Sequence, residues 1–186
     1  MEKKHVCPWW LGYFLIIPLR KYWHNPVKIL KNLVKPGMKV IDYGSAMGYF
    51  SLPMAKMVGD TGKVYCFDIQ EKMLEKLNSR AKNSGLNNTI SPRLILNGDN
   101  AFNDLTQTAD FALLFAVAHE VPDREQLFTS LSGMLKSKAL LLFAEPLGHV
   151  KWEDFKQSVS HAEKAGFIRL QPVKINRSYA VLLEKC

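Results

Sequence analysis

Apolar positions in this chain form short continuous runs, separated by longer stretches with helical spacing. The runs are Val40-Ile41, Val64–Phe67, Leu94–Leu96, Phe111–Val117 and Ala139–Ala144. Runs of this length, rich in branched and aromatic residues, suit strands that are covered on both faces. Between them the apolar period changes from a run to a stripe. Residues 49–58 place Phe50, Met54 and Met57 on one helical face, with Pro53 tolerable only in the first turn. Residues 71–84 place Met73, Leu74, Leu77 and Ala81 on one face, and Gly85 suits the position just past the helix end. Asp123-Arg124-Glu125-Gln126 reads as a capping box that opens a helix with Leu127, Phe128, Leu131 and Leu135 on its buried stripe. Residues 152–165 repeat the pattern with Phe155, Val159 and Ala162, and Gly166 stops it. Two late strands, 167–173 and 178–184, follow around a tight turn at Asn176-Arg177. Strands alternating with helices predict an α/β chain with a doubly wound, mostly parallel sheet.

Acidic residues recur where these strands end. Asp42 follows the first run and precedes Tyr43-Gly44-Ser45-Ala46-Met47-Gly48. Glycines let such a loop turn tightly and approach a ligand, and the next helix aims its free N–H groups at the same place. The dinucleotide fingerprint fits poorly. Counted from Gly44, its second glycine falls on Ala46 and its third on Tyr49, whose bulk opposes close helix–strand packing. Asp42 would repel a diphosphate but suits a ligand carrying an ammonium group, as S-adenosylmethionine does. Asp68 closes the second run at the offset where a carboxylate accepts from a ribose diol. Gly98-Asp99-Asn100 closes the third run, His119-Glu120 the fourth, and Glu145-Pro146 the fifth. Asp42 and Asp68 also qualify as helix caps, and Asp99 as a turn residue, so it is the ordered set that carries the signal.

On these residues, approximately from 28 to 186, the chain resembles the class I S-adenosylmethionine-dependent methyltransferases, and within them the small-molecule type related to the quinone-biosynthesis group. The resemblance implies a Rossmann-like, seven-stranded sheet closed by the late antiparallel hairpin. It implies S-adenosylmethionine as cofactor, with S-adenosylhomocysteine as product. The cofactor contacts it implies are Asp42, Tyr43, Gly44, Ser45 and Gly48 in the loop, and Asp68, Ile69 and Met73 after the second strand. Gly98, Asp99 and Asn100 would meet the adenine edge, and Ala116 would border the transferred methyl. Lys136-Ser137-Lys138 departs from the Pro-Gly-Gly turn of many relatives.

Composition narrows the setting. A chain of 186 residues, 47% hydrophobic, can bury a sizeable core, and no repeat or linker divides it. Cys7, Cys66 and Cys186 are too few and too scattered for a disulfide framework or zinc site, so no metal and a cytoplasmic setting are expected. Cys66 reads as core, while Cys7 is open to a substrate or soft-metal contact. Residues 1–39 carry eight Lys or Arg against Glu2 alone, so all but one unit of the net charge of +8 lies there. A nucleic-acid enzyme spreads such charge over its substrate face. There is also no Asn-Pro-Pro-Tyr-like tetrapeptide after the fourth strand, as the enzymes that methylate base amino groups have. A small-molecule acceptor is therefore expected, and nucleic acid is not.

The basic start flanks an apolar stretch, Pro8–Leu19, too short to span a bilayer and without a signal-peptide cleavage site. Residues 1–27 thus read as a cap segment before a 28–186 cofactor-binding domain. Three readings of the cap stay open: a core-packing helix, an interfacial anchor giving peripheral membrane contact through residues 8–24, and a lid whose Trp9, Trp10, Tyr13 and Phe14 shape the acceptor pocket.

A sulfonium methyl is already activated, so the protein mainly aligns the acceptor, and a base is needed only where the acceptor must lose a proton. His119 is the first candidate base and Glu145 the second, with Glu120 and His149 weaker. His119 also reads as a loop residue that merely lines the pocket with His149. Asp110 begins its strand and should lie at the far end, away from chemistry. Two other functions remain: an RNA or protein methyltransferase on the same fold, and a cofactor-binding domain without turnover. The acceptor atom and oligomeric state are not readable.

Overall fold

The computed structural model describes residues 20, 22–96 and 102–186. A short helix α1 (Pro26–Leu30) precedes β1 (Lys39–Tyr43), α2 (Ser51–Val58), β2 (Lys63–Asp68), α3 (Glu71–Asn83) and β3 (Ile90–Leu94). A 3₁₀ turn at Asn103–Leu105 leads into β4 (Ala109–Phe115), α4 (Arg124–Met134) and β5 (Leu135–Pro146). The chain closes with α5 (Trp152–Lys164), β6 (Phe167–Pro172) and β7 (Ser178–Lys185).

The seven strands form one sheet in the order β3-β2-β1-β4-β5-β7-β6. β1 to β5 pair in parallel, and β7 runs antiparallel between β5 and β6. This is the doubly wound sheet with a late antiparallel hairpin that the run-and-stripe pattern predicts. Alternation along each strand divides the core into two layers. Val40, Cys66, Phe111 and Leu142 face α1, α2 and α3, whereas Ile41, Phe67, Ala112 and Phe143 face α4 and α5. The strand order reverses at β1 and β4, so the crevice beyond their C-terminal ends is the place where such sheets bind ligands.

Local rules account for most boundaries. In α3, Met73, Leu74, Leu77 and Ala81 are the buried residues, and Gly85 takes φ +68° beyond its end. Asp123 caps α4, its carboxylate accepting from the Gln126 N–H at 2.9 Å. In α5, Phe155, Val159 and Ala162 are buried, and Gly166 takes φ +90°.

Four boundaries differ from the pattern. Leu135 does not complete the α4 stripe: it begins β5, four residues before the predicted start at Ala139. The extra stretch is taken up where Ala109 pairs with Leu135 but Phe111 pairs with Leu140, and Lys138 turns through φ +64°. Here a lysine, rather than a glycine, takes the left-handed turn. α2 starts at Ser51, leaving Phe50 as its cap, and this puts Pro53 in the first turn. β3 starts at Ile90 and ends at Leu94, earlier than the third apolar run, and holds Pro92 on a sheet edge where a missing N–H costs no ladder bond. α1 is not visible as a stripe, because five residues are too few to show one. Asn25 caps it and Pro26 opens it.

Candidate active site

The glycine loop leaves β1 at its C-terminal end and is tied down by its own backbone. Gly44 and Ser45 N–H groups both donate to the Phe67 carbonyl, at 2.8 and 2.9 Å. The Ala46 N–H donates to Asp68 Oδ2 at 2.9 Å. Asp68 Oδ1 accepts from the Gln70 N–H at 2.9 Å. The amides that would cradle a pyrophosphate are therefore spent inside the protein. Asp68 bridges loop and α3, and burial pushes its carboxyl above the ordinary range, against the pull of those amides. Arg80 adds a further tie by donating to the Met47 carbonyl.

Gly44 has φ +77°, and a Cβ there would lie 2.2 Å from Val117 Cγ2. The close approach that demands glycine is thus to the β4 loop across the crevice. Gly48 is comparable: φ +81°, with a Cβ only 2.6 Å from Leu52 Cδ1. Ala46 takes φ +46° and Ala116 φ +60°, two non-glycine residues in the left-handed region facing one crevice.

Neither Asp42 nor Asp68 is a helix cap, since the caps of α2 and α3 are Phe50 and Gln70. Asp42 lies buried on the α2 side and accepts from Ser51 Oγ at 2.5 Å. Burial raises its pKa to about 7, against the Ser51 hydrogen bond. Tyr43 stacks on Phe67 at 6.0 Å, and burial raises its phenol to about 12. Met73 is inside the α3 packing face, whereas Ile69 is exposed at the turn, so Ile69 is the side chain open to a ligand. Ser45 Oγ is buried and has no hydrogen-bond partner among the described residues. Carboxylate oxygens with spare lone pairs and an orphaned hydroxyl, beside amides already spent, suit a ligand of hydroxyls and an ammonium, not a phosphate chain. The residues present fit S-adenosylmethionine. Gly98, Asp99 and Asn100 lie outside the described residues, as do Trp9, Trp10, Tyr13 and Cys7.

The second half of the site lies beyond β4 and β5. His119 Nδ1 is 2.6 Å from Glu145 Oε2, and the His119 backbone N–H donates to Glu145 Oε1 at 3.2 Å. Glu145 is 1% exposed, so both its oxygens are committed to holding His119. The imidazole keeps partial access to solvent, and its Nε2 stands 3.9 Å from Glu120 Oε1. The Glu145 hydrogen bond raises the His119 pKa above its ordinary 6.5, despite desolvation. The His149 ring is 6.4 Å from that of His119. Sequence alone ranked His119 and Glu145 as separate candidates. The fold joins them as one unit, because β4 and β5 are neighbours in register.

Asp110 is at the opposite end of the strands, at the start of β4, paired with Lys136 at 2.5 Å and accepting from the Lys39 N–H. Sequence reasoning did not show which residues the chain before α1 meets. The Arg20 guanidinium lies 4.4 Å from the Tyr49 ring centre, and the His24 ring packs on Phe115 at 5.0 Å. Tyr49 Oη donates to the His24 carbonyl at 2.9 Å. Tyr49, the residue that breaks the dinucleotide fingerprint, was the available signal. Among the described residues no group of three His, Cys, Asp or Glu side chains is placed to hold a metal, and no helix is long and apolar enough to cross a membrane.

Fold and loop together define the Rossmann-like class of S-adenosylmethionine-dependent methyltransferases. The family model for the methyltransferase domain matches residues 34–177, and the chain belongs to that family. Among solved structures, a SAM-dependent methyltransferase from Aquifex aeolicus superposes with a TM-score of 0.86 at 22% identity, covering 97% of this chain and 100% of that one. The chain is 28% identical over 116 residues to a ubiquinone/menaquinone biosynthesis C-methyltransferase from a Shewanella species, covering 60% of this chain and 43% of that protein. It is 24% identical over 159 residues to a probable cobalt-precorrin-6B C(15)-methyltransferase from Saccharolobus solfataricus, covering 86% of this chain and 76% of that protein. A shorter stretch of 56 residues is 41% identical to a 23S rRNA uracil methyltransferase from Psychrobacter arcticus, 30% of this chain and 11% of that protein. The chain therefore spans less than half of two of these three relatives. S-adenosylmethionine is the cofactor that family and fold imply, and the relatives include both small-molecule and rRNA methyltransferases.

Proposed function

We propose that the protein transfers the methyl group of S-adenosylmethionine to a small-molecule acceptor, with His119 as the base that receives the acceptor's proton and Glu145 as the residue that holds the imidazole. The observation that carries this reading is the buried Glu145 carboxylate gripping His119 by both backbone and ring at the ends of adjacent strands. A carboxylate on Nδ1 keeps the proton there and leaves Nε2 to face the acceptor. The cofactor, when bound, supplies an activated methyl, so the residues need only orient the acceptor and take one proton. In this reading Asp68 meets the ribose hydroxyls, the 44–48 loop and Asp42 meet the methionine end, and Ala116 borders the methyl. Residues 1–27 close over the crevice, a reading supported by Arg20 and His24 packing on Tyr49 and Phe115.

The overall basicity, a net charge of +8, favours one rival, an RNA acceptor held electrostatically. The deciding experiment incubates the protein with methyl-labelled S-adenosylmethionine and a cell extract separated into small molecules, RNA and protein. Label should enter the small-molecule fraction, and His119→Gln should abolish its entry. Label confined to RNA would overturn the reading, and no transfer to any fraction would favour a binding domain without turnover.

A further inference from the structure

A cavity of about 410 Å³ lies between α5 and the β6–β7 hairpin, apart from the glycine loop. That volume is within the range of small-molecule sites. Its walls are aromatic. Trp152 and Tyr179 ring centres are 5.1 Å apart, Phe155 and Tyr179 5.5 Å, and Trp152 and Phe155 5.6 Å. Phe155 is buried at the base, while Trp152 is 47% exposed at the mouth. The exposed part of Trp152 is apolar surface that a flat ligand would cover.

Two cations share the same lining, Lys156 from α5 and Arg169 from β6. The Lys156 ammonium is 5.9 Å from the Trp152 ring centre. Each has a carboxylate neighbour, Glu153 at 3.8 Å and Glu163 at 3.1 Å, both on the surface. Exposed pairs of this kind are worth little and exchange readily for a ligand anion. Among the described residues, no acidic side chain lines the cavity itself.

The cavity also adjoins the dyad. Glu145 and Tyr179 are direct partners across β5 and β7, so their side chains leave the same face of the sheet as neighbours. The loop between β5 and α5 carries His149 toward His119 at one end and begins the helix with Trp152 at the other. We infer that this cavity seats the methyl acceptor, and that the acceptor is a planar aromatic molecule bearing an anionic group. The ring lies against Trp152 and Tyr179, the anion meets Lys156 and Arg169, and the reacting end points toward His119. This rests on the reading of His119 as the acceptor-facing base.

The test uses 2-naphthoate as probe and the full chain. Its binding is followed by calorimetry and by the ¹³C-labelled histidine ring resonances. Wild type should bind it, Trp152→Ala should weaken it roughly tenfold, the scale of a lost aromatic stack, and Arg169→Gln should weaken naphthoate but leave neutral 2-naphthol unchanged. The His119 resonance should shift on titration. Trp152 is half exposed at a helix start, so its removal leaves the core intact, and an unchanged melting temperature would verify this. No binding by wild type, binding indifferent to Trp152→Ala, or binding that leaves His119 unmoved would each overturn the proposal. Because binding needs no turnover, intact naphthoate binding with no methyl transfer to any acceptor would overturn only the functional reading.

Discussion

At the scale of single residues, protons and backbone angles decide the chemistry. His119 must be neutral to accept a proton, and Glu145 raises its pKa above 6.5. Activity should therefore rise with pH through a limb lying above 6.5, and Glu145→Gln should move that limb lower while reducing turnover. A limb that stays in place in a pH–rate profile of the variant would contradict the pairing. In stability the sign is opposite: the His119–Glu145 bond contributes fully below the unfolded histidine value and is lost as pH rises through the raised one. Asp42 carries a second proton. Its folded value is about 7, above the ordinary carboxylate value of 3.8, so rising pH between these destabilises the fold. An ammonium bound nearby would favour the charged carboxylate, so S-adenosylmethionine binding near pH 6.5 should release protons. Calorimetry in buffers of different ionisation enthalpy reads this, and Asp42→Asn should abolish the buffer dependence. The loop offers a paired test of strain. Ala46→Gly should relieve about 1 kcal/mol of left-handed strain, whereas Gly44→Ala should destabilise by more than that, because its Cβ meets Val117. Urea denaturation of the two variants should move in opposite directions.

At the scale of elements, periodicity reads well wherever one face of a helix is buried for several turns. The stripe of α3 is its buried face residue for residue, and that of α5 lacks only Ser158. Elements defined by a few residues were not readable this way. α1 depends on its Asn25 cap and Pro26, and the start of β5 depends on pairing with Ala109 across the sheet. Leu135 has the right spacing to extend α4, but strand pairing outcompetes one more helical turn. Phe155 is the clearest energetic anchor at this level, packing against Phe143 at 5.1 Å and Tyr179 at 5.5 Å. Phe155→Ala should cost about 3–5 kcal/mol, measurable as a lower urea midpoint. A loss below about 1 kcal/mol would mean that α5 packs by other residues.

At the scale of the whole molecule, ligand binding and folding are one equilibrium. The loop, β2 and α3 are joined through Asp68, so a ligand seated there should stabilise the entire sheet. At a hundredfold excess over its dissociation constant, S-adenosylmethionine should add about 2.7 kcal/mol, seen as a higher melting temperature. NAD should add nothing, because the amides it would need are already bonded. An equal shift with NAD would contradict the cofactor assignment. The segment before α1 bears on the same scale: if residues 1–27 close over the crevice, removing residues 1–24 should leave a folded domain that binds S-adenosylmethionine more weakly, and unchanged affinity would contradict the closure.

The order of strand and helix, the buried stripes of α3 and α5 and the acids that end β1, β2 and β5 were all contained in local sequence, because hydrophobic period and capping act over a few residues. So was the rejection of a dinucleotide, through Ala46 and Tyr49 in place of glycines. Tertiary structure decided what those acids do. Only strand pairing brings Glu145 against His119, 26 residues away. Only the loop geometry spends the Gly44, Ser45 and Ala46 amides on Phe67 and Asp68. Gly44 itself had to be glycine because Val117, distant in sequence, occupies the space its Cβ would need. The Trp152–Tyr179 cavity likewise exists only because β7 inserts between β5 and β6. Contacts of this kind join positions with no shared period, so no local pattern records them.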